Sequence, residues 1–215
     1  MAKTMLKIPD RVLLTLFIAG FGFSVLSIFF LDRFAYEIIR PAFASQQVLW
    51  QNITYLGDSE WMAILTLAII ATGLVLNYFQ PRPLWVKMWR YGTFLFIPAA
   101  IAGISALLLK NMIGRARPYV FDTEGPLGFS PFAFENNFAG FPSGHTTMAF
   151  AFATMLAILF PRLAAPAFAI AILAGFSRMA VNAHYLGDVI FGATFGTIVT
   201  IFAAKKLATK FKYRT

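Results

Sequence analysis

Both histidines of the chain lie in short polar stretches beside long apolar runs. His184 and Asp188 are four residues apart, a spacing that brings two side chains to one face of a helix. A carboxylate beside one imidazole nitrogen fixes the tautomer and leaves the other nitrogen free to attack an electrophile. His145 is then available to protonate a leaving oxygen. The pattern predicts a nucleophile at His184, oriented by Asp188, with His145 as general acid.

Three cations, Lys110, Arg117 and Arg178, lie near the histidines and at the ends of apolar runs. The planar fork of an arginine suits tetrahedral oxyanions, and a lysine adds a compact charge. Ser143 and Gly144 begin another apolar run, so their backbone N–H groups would be free at a helix N-terminus, which is an anion site. Gly144 also lets an anion approach the backbone closely. Together these residues predict a binding site for a phosphoryl-like group.

Two histidines and one aspartate among so many cations would repel a divalent ion, so we expect no metal and no cofactor. One point of geometry stays open. Arg178 and His184 are six residues apart, which on an ideal helix separates them by about 120°. Either the chain turns near Asn182, or the long arginine side chain reaches around the helix.

Four further residues are weaker candidates. Arg115 lies beside the pattern but outside it, and we expect it to be a surface residue or a contact to a lipid phosphate. Tyr185, Asn182 and Glu135 are close enough in sequence to line the same site.

The elements that must position these residues are apolar. The chain has 215 residues, of which 59% are hydrophobic and 13% charged, and the apolar residues form long runs. The sequence predicts an all-α integral membrane protein with a single domain over residues 1–215. Its six transmembrane helices are expected at about 12–31, 61–79, 91–109, 144–160, 165–183 and 188–204. No cysteine is present, which excludes disulfides and thiol chemistry.

Basic residues indicate the orientation of these helices. Twelve of the 18 Lys and Arg residues fall on one side of a six-span arrangement, in the N-terminal segment, the second and fourth connections and the C-terminal tail. The positive-inside rule therefore predicts cytoplasmic N- and C-termini, with the candidate site on the outer face. The short connections suggest a bacterial inner membrane, with the site facing the periplasm. A nucleic-acid partner would need a basic patch outside the membrane, and none is visible.

Two segments have open interpretations. Residues 33–60 could form a helix in the outer interface or an ordinary loop, with equal support. Residues 119–141 contain six phenylalanines, which could dip into the bilayer or gate a lipid tail, or could pack against the outer helix ends. The sequence gives no oligomeric state.

The chemical residues resemble the three-part signature of the type 2 phosphatidic acid phosphatase (PAP2) superfamily of membrane lipid phosphatases. That signature reads K-x6-R-P, P-S-G-H and S-R-x5-H-x3-D. Its eleven fixed positions are filled here in order by Lys110, Arg117, Pro118, Pro142, Ser143, Gly144, His145, Ser177, Arg178, His184 and Asp188.

The resemblance implies a PAP2-like six-helix fold and a metal-independent lipid phosphatase. It implies that His184 attacks phosphorus to form a phosphohistidine, with Asp188 orienting it and His145 as acid and then base. The phosphoryl oxygens would be bound by Lys110, Arg117, Ser143, Gly144 and Arg178.

Among membrane lipid phosphates, undecaprenyl pyrophosphate and phosphatidylglycerol phosphate are the first expected substrates, ahead of lipid A 1-phosphate. Two alternatives remain at this stage. The phosphohistidine could transfer its group to a lipid or sugar acceptor, or the chain could be a non-catalytic lipid-binding or transport protein.

Overall fold

The computed structural model of the protein describes residues 5–210, with the side chain of Lys210 left aside. Three cations behind the predicted orientation, Lys3, Lys212 and Arg214, lie outside these residues. Within 5–210 the chain is almost entirely helical. The isolated bridge between Arg115 and Phe129 is the β-type pairing found there.

A long first helix runs from Asp10 to Ala42 in three parts. Helix α1 (Asp10–Leu26) passes through a π-helical turn (Ser27–Leu31) into α2 (Asp32–Ala42). The hydroxyl of Ser27 donates to the buried carboxylate of Asp32 across this turn. π-Helical turns often accompany functional sites, and this one directly precedes a buried acid.

The next segment is helical throughout, which settles one of the open interpretations. A 3₁₀ turn (Ala44–Gln46), α3 (Gln47–Thr54) and a second 3₁₀ turn (Tyr55–Gly57) lead into α4 (Ser59–Phe79). Asp58 caps α4 by accepting from the backbone N–H of Glu60 at 2.9 Å. The ordinary loop considered for residues 33–60 is therefore wrong.

Helix α5 (Pro83–Ile113) begins at a proline and ends at Gly114, whose φ of 61° suits a glycine after a helix. The outer connection then contains a 3₁₀ turn (Pro118–Val120), the short α6 (Phe121–Glu124) and another 3₁₀ turn (Asn136–Phe138).

Some phenylalanines of this connection pack against helix ends, whereas others are exposed. Phe121 stacks on Tyr36 and Phe141 stacks on Phe191, so these two pack against helix ends. Phe132 and Phe134 are 60% and 74% exposed and face away from the protein.

The C-terminal half contains three helices. Helix α7 (Gly144–Leu159) is followed by a 3₁₀ turn (Pro161–Leu163), α8 (Ala164–Ala180) and α9 (Leu186–Lys210). Helix α7 packs against α5, α8 and α9, and most of its small residues are buried. It is therefore the central helix of the bundle.

Five helical stretches among the described residues are long and apolar enough to cross a membrane: Asp10–Ala42, Ala44–Phe79, Pro83–Ile113, Pro161–Ala180 and Leu186–Thr209. Many of their large apolar side chains are exposed, as lipid contact requires. The sixth predicted span corresponds to α7, which is apolar but has 16 residues. An integral membrane protein with an all-helical fold is confirmed, whereas a count of six spans is not established by length.

The two ends of the bundle differ in composition. One end holds the start of α7 and the turn between α8 and α9, where the predicted site residues lie. At the other end the start of α1 meets α9, because the ammonium of Lys205 contacts the carbonyl of Ile8 at 2.7 Å and the carboxylate of Asp10. Among the described residues, most basic side chains outside the site belong to segments at this opposite end.

Candidate active site

His184 lies in the turn between α8 and α9, not on a helix. Asn182 takes a left-handed conformation with φ of 59°, and the N–H groups of Ala183 and His184 both donate to the carbonyl of Arg178, at 3.0 and 3.1 Å. The chain therefore turns at Asn182, the first of the two geometries considered. The expectation that His184 and Asp188 share a helix face is wrong, because α9 begins only at Leu186.

The tautomer of His184 is set by a backbone carbonyl. Its Nδ1 lies 2.6 Å from the oxygen of Gly140. A carbonyl can only accept, so Nδ1 carries the proton and Nε2 keeps its lone pair. The carboxylate of Asp188 lies 3.7 Å from the same Nδ1, close enough to act as a charge partner.

His184 is neutral at ordinary pH. It is 3% exposed, and burial together with three nearby positive charges holds its pKa well below the usual value. Those charges belong to Lys110, Arg178 and Arg117. A neutral imidazole with a free Nε2 is the form that attacks an electrophile.

Asp188 is fully buried and accepts hydrogen bonds from two groups. Its Oδ1 accepts from Arg115 at 2.5 Å and its Oδ2 accepts from the N–H of Tyr185 at 2.8 Å. The same Oδ2 faces His184, so the oxygen bound by Arg115 and the oxygen beside the imidazole are different atoms.

The prediction for Arg115 is wrong. Its side chain is completely buried and makes ion pairs with Asp32 and Asp188, at 2.8 and 2.5 Å, instead of lying at the surface or on a lipid phosphate. Burial alone would lower the pKa of Arg115, but the charges of the two aspartates outweigh it and raise the pKa. Two buried acids close together account for this position, because each needs a cationic partner.

The three cations of the predicted anion site lie in three different elements. Lys110 is in the last turn of α5, and its Nζ is 3.8 Å from where a Cβ on Gly144 would lie. Arg117 follows α5, donates to the carbonyl of Ala139 at 3.2 Å, and has a pKa lowered by burial. Arg178 is in the last turn of α8 and donates to the hydroxyl of Thr54 at 2.6 Å.

These cations lack acidic partners. Within residues 5–210, the ion pairs of the structure involve none of Lys110, Arg117 and Arg178. The Nε of Arg178 is buried without a hydrogen-bond partner in the protein. Buried cations without counterions are destabilising unless an anion joins them, so this arrangement favours a bound oxyanion.

The N-terminus of α7 completes the site. Ser143 is the N-cap, but its hydroxyl pairs with Thr146 at 2.9 Å and its N–H donates to the carbonyl of Asp188 at 3.2 Å. The expectation of a free N–H at Ser143 is therefore wrong. The free donors are those of the first turn, Gly144, His145 and Thr146, which have no intrahelical acceptor and no side-chain cap.

His145 is the second residue of α7 and is half-buried beside the cations. Its backbone packs tightly on Gly57, where an added Cβ would lie 2.9 Å from the carbonyl of His145. Among the weaker candidates, Tyr185 and Asn182 have buried oxygens without partners, and Glu135 is exposed and does not line the site.

An apolar cavity of about 530 Å³ leads to the site from between α4, α5 and α7. Lys110, Gly144 and His145 contribute to its lining, together with the polar residues Ser59, Glu60 and Thr66. Most of the remaining lining side chains are apolar. These include Phe96, Ala100, Ile104, Leu107, Met148 and Phe152. The volume is within the range of small-molecule pockets.

Sequence reasoning missed three contributors. Asp32 had a detectable signal, because an acid directly after an apolar run of membrane length is a functional candidate. Thr54, which binds Arg178, lies outside the family signature. Gly140 acts through its carbonyl, which every residue has, so the sequence carries no signal for it.

Comparisons with known proteins identify the family of the chain. The model of the PAP2 superfamily matches residues 88–212. Two proteins named lipid A 1-phosphatase are similar in sequence, one from Rhizobium etli and one from Rhizobium johnstonii. They are 38% and 37% identical over 163 and 162 residues, which is 73% of this chain and 68% and 66% of theirs.

Two solved structures share the fold. A transmembrane PAP2 type phosphatidylglycerolphosphate phosphatase from Bacillus subtilis superposes with a TM-score of 0.62 at 24% identity, covering 95% of this chain and 98% of that one. LpxE from Aquifex aeolicus superposes with a TM-score of 0.52 at 22% identity, covering 80% and 92%. With the family match and the phosphatase relatives, these likenesses establish that the chain belongs to the PAP2 superfamily and is a phosphatase of that family.

Proposed function

We propose that the protein hydrolyses a lipid phosphate through a phosphohistidine at His184. The observation that carries this proposal is the group of three cations without acidic partners. They lie with the free N-terminus of α7 beside a neutral imidazole whose Nε2 is free. Phosphoryl transfer requires mainly positioning and charge stabilisation, and this group provides both.

In the first step, Nε2 of His184 forms a bond to phosphorus while the bond from phosphorus to the ester oxygen breaks. The negative charge of the bound phosphate favours a protonated His145, which gives its proton to the leaving oxygen, and this oxygen departs as an alcohol. The imidazole becomes positively charged, and the carboxylate of Asp188 at 3.7 Å balances that charge. The Gly140 carbonyl keeps the proton on Nδ1 throughout.

In the second step, His145 is neutral and accepts a proton from water as the water oxygen attacks phosphorus. The bond from phosphorus to Nε2 breaks, inorganic phosphate leaves, and both histidines return to their starting forms. Lys110, Arg117, Arg178 and the N–H groups at Gly144 bind the phosphoryl oxygens in both steps. In this proposal these cations supply the charge compensation that a metal ion would otherwise give.

The apolar cavity supports a lipid as the substrate. It begins at Lys110, Gly144 and His145, where the phosphate would bind, and continues between helices along apolar side chains. A phosphate attached to an acyl chain could therefore bind with its tail in the cavity. The basic connections at the opposite end support an outward-facing site in a bacterial inner membrane.

Among lipid phosphates, we propose lipid A 1-phosphate as the first substrate to test. The support is the identity of 38% and 37% to two proteins of that activity over most of this chain. Undecaprenyl pyrophosphate and phosphatidylglycerol phosphate, the first expectations from the sequence, remain in the test. The likeness to the Bacillus subtilis phosphatase is at 24% identity and concerns the fold.

The test is phosphate release by purified protein, in detergent with a chelator, from lipid A, phosphatidylglycerol phosphate, undecaprenyl pyrophosphate and phosphatidic acid side by side. We expect His184→Ala to abolish release and covalent labelling by ³²P substrate. With p-nitrophenyl phosphate, whose leaving group needs no proton, His145→Ala should still become labelled and should accumulate the phosphoenzyme.

A His184→Ala protein that hydrolyses at the wild-type rate would contradict the mechanism. Product containing a ³²P-labelled acceptor in place of free phosphate would show transfer. Lipid binding without turnover over the whole panel would favour a binding or transport protein.

A further inference from the structure

Arg115 connects the acid beside the nucleophile to a second acid in the first helix. One terminal nitrogen donates to Asp188 Oδ1 at 2.5 Å, and the other donates to Asp32 Oδ2 and to the carbonyl of Pro126, both at 2.8 Å. All three side chains of this group are fully buried. The guanidinium lies 4.6 Å from the ring centre of Tyr185, which restricts its orientation further.

Asp32 holds the start of α9 directly. Its Oδ1 accepts from the N–H of Gly187 at 2.8 Å and from the hydroxyl of Ser27 at 2.8 Å. The hydroxyl of Ser24 donates to the carbonyl of Gly187, also at 2.8 Å. The N–H and the carbonyl of Gly187, the residue before Asp188, are therefore both hydrogen-bonded to the first helix.

Gly187 fits between these groups without any spare room. An added Cβ would lie 2.8 Å from Ile28 and 3.0 Å from the carbonyl of Ser24, and both contacts are too close. The first helix and the start of α9 therefore have one relative position. Asp188, the next residue, takes its place from that contact.

The two oxygens of Asp188 are used differently. Oδ1 is bound by Arg115, and Oδ2 is left for the N–H of Tyr185 and for the imidazole of His184. If Arg115 were absent, the carboxylate could rotate, and it would lie near Asp32 with no cation between them. The direction of Oδ2 toward the imidazole is thus set by the guanidinium on Oδ1 together with the N–H of Tyr185 on Oδ2.

Substrate contact does not explain Arg115, because its side chain is fully buried and its two terminal nitrogens bind protein oxygens. Stability alone explains it poorly as well. Buried ion pairs contribute little net stability compared with apolar residues of the same volume, because removing the charges from water is costly. A role in the reaction accounts both for the complete burial of Arg115 and for its ion pairs with two acids.

We propose that Arg115 and Asp32 are positioning residues that hold Asp188 with one oxygen directed at His184. The inference rests on the proposed phosphohistidine mechanism, and it assigns a role to two residues outside the family signature. Asp32 acts through Arg115 and through the N–H of Gly187, so the first helix takes part in building the nucleophile.

The test compares Arg115→Met, Asp32→Asn and the double variant with wild type. The measured quantities are kcat and KM on the best lipid phosphate, the inhibition constant of inorganic phosphate, and the thermal midpoint in detergent. We expect Arg115→Met to lower kcat about 10- to 100-fold, the range for residues that orient a catalytic ligand. The inhibition constant of phosphate should stay within about twofold, because the oxyanion donors are intact.

The double variant supplies a readout that a structural role would not move. If Asp32 acts partly through Arg115, the losses in kcat should be smaller together than the product of the single losses. Matched controls come from the next exposed pair, Arg33 and Glu37, which contact each other at 2.9 Å. Arg33→Met and Glu37→Gln should keep the wild-type kcat.

Two results would overturn the proposal. One is a folded Arg115→Met or Asp32→Asn protein with kcat within twofold of wild type. The other is a parallel loss of kcat, phosphate inhibition and thermal midpoint, which would indicate a purely structural role. If Arg115→Met does not fold, Asp32→Asn, which keeps the guanidinium, decides alone. A fully active His184→Ala protein would instead refute the proposed function, so the two failures are distinguishable.

Discussion

Replacing Asp188 with asparagine tests the charge balance of the nucleophile. The amide has nearly the same shape as the carboxylate. Its oxygen can still accept a hydrogen bond from Arg115, but its nitrogen then faces the N–H of Tyr185 and that second hydrogen bond is lost. What the variant lacks is the negative charge beside the imidazole of His184. We therefore expect a loss in the rate of phosphoenzyme formation, with little change in substrate binding.

The distance between Asp188 and His184 gives the size of the expected decrease in rate. Asp188 Oδ2 lies 3.7 Å from His184 Nδ1. At this distance, a carboxylate and a full positive charge on the ring interact by about 4.5 kcal/mol with an effective dielectric constant of about 20. That free energy corresponds to a factor of about 2,000 in rate. Because the transition state carries only part of the charge, we expect a decrease of about 30- to 1,000-fold.

Rapid-quench measurement of ³²P-labelled protein in a single turnover reports this step directly. Asp10→Asn is the matched control, because Asp10 pairs with Lys205 at the opposite end of the bundle and should leave the rate unchanged. A decrease of less than about tenfold in folded Asp188→Asn protein would refute the charge-balance argument. A large rise in KM at constant kcat would refute it too, since Asp188 would then be acting in binding.

Two further predictions concern the cavity and His184. Ala100→Phe, which fills the apolar cavity, should raise KM for a long-chain lipid phosphate about tenfold, since about 60 Å² of lost tail contact is worth about 1.5 kcal/mol. It should leave KM for p-nitrophenyl phosphate unchanged, and Ala68→Phe on the exposed side of α4 should alter neither; equal effects on both substrates would exclude the cavity as a tail site. The pKa of His184 in the folded protein is well below its usual value, so below about pH 6.5 the unfolded chain binds more protons than the folded one. The free energy of unfolding therefore decreases as the pH is lowered through this range, by up to about 1.4 kcal/mol per pH unit. His184→Gln should lack this part of the pH dependence in urea denaturation, and identical slopes for both proteins would contradict the buried neutral imidazole.

The fold was largely predictable because the apolar runs have membrane length. The predicted spans at 61–79 and 144–160 differ by at most two residues from α4 (Ser59–Phe79) and α7 (Gly144–Leu159). The longer α5 was less predictable, since it starts at Pro83 in a polar connection and continues past the apolar run. Hydropathy detects only the lipid-facing part of such a helix, whereas its ends depend on proline and glycine.

The site was predictable where side chains act and not where the backbone does. The sequence spacing predicted that both histidines and three cations lie at one end of the bundle, namely Lys110, Arg117 and Arg178. It could not reveal that a carbonyl of Gly140 sets the tautomer of an imidazole. Arg115 was misplaced for another reason, because its partner Asp32 is 83 residues away in sequence and only the packing of the first helix brings them together.

The short length of α7 explains why the catalytic group is built inside the bundle. Sixteen residues extend about 24 Å, which is about 6 Å less than the hydrocarbon core of a bilayer. If the connection that contains Arg162 lies at one interface, the N-terminus of α7 lies below the surface of the other. A phosphate must then enter the protein to reach His145, and charged groups at that depth must be held by one another. The ion pairs with Arg115 stabilise two buried acids at that depth. They lie beside three cations for which the described residues supply no acidic partner.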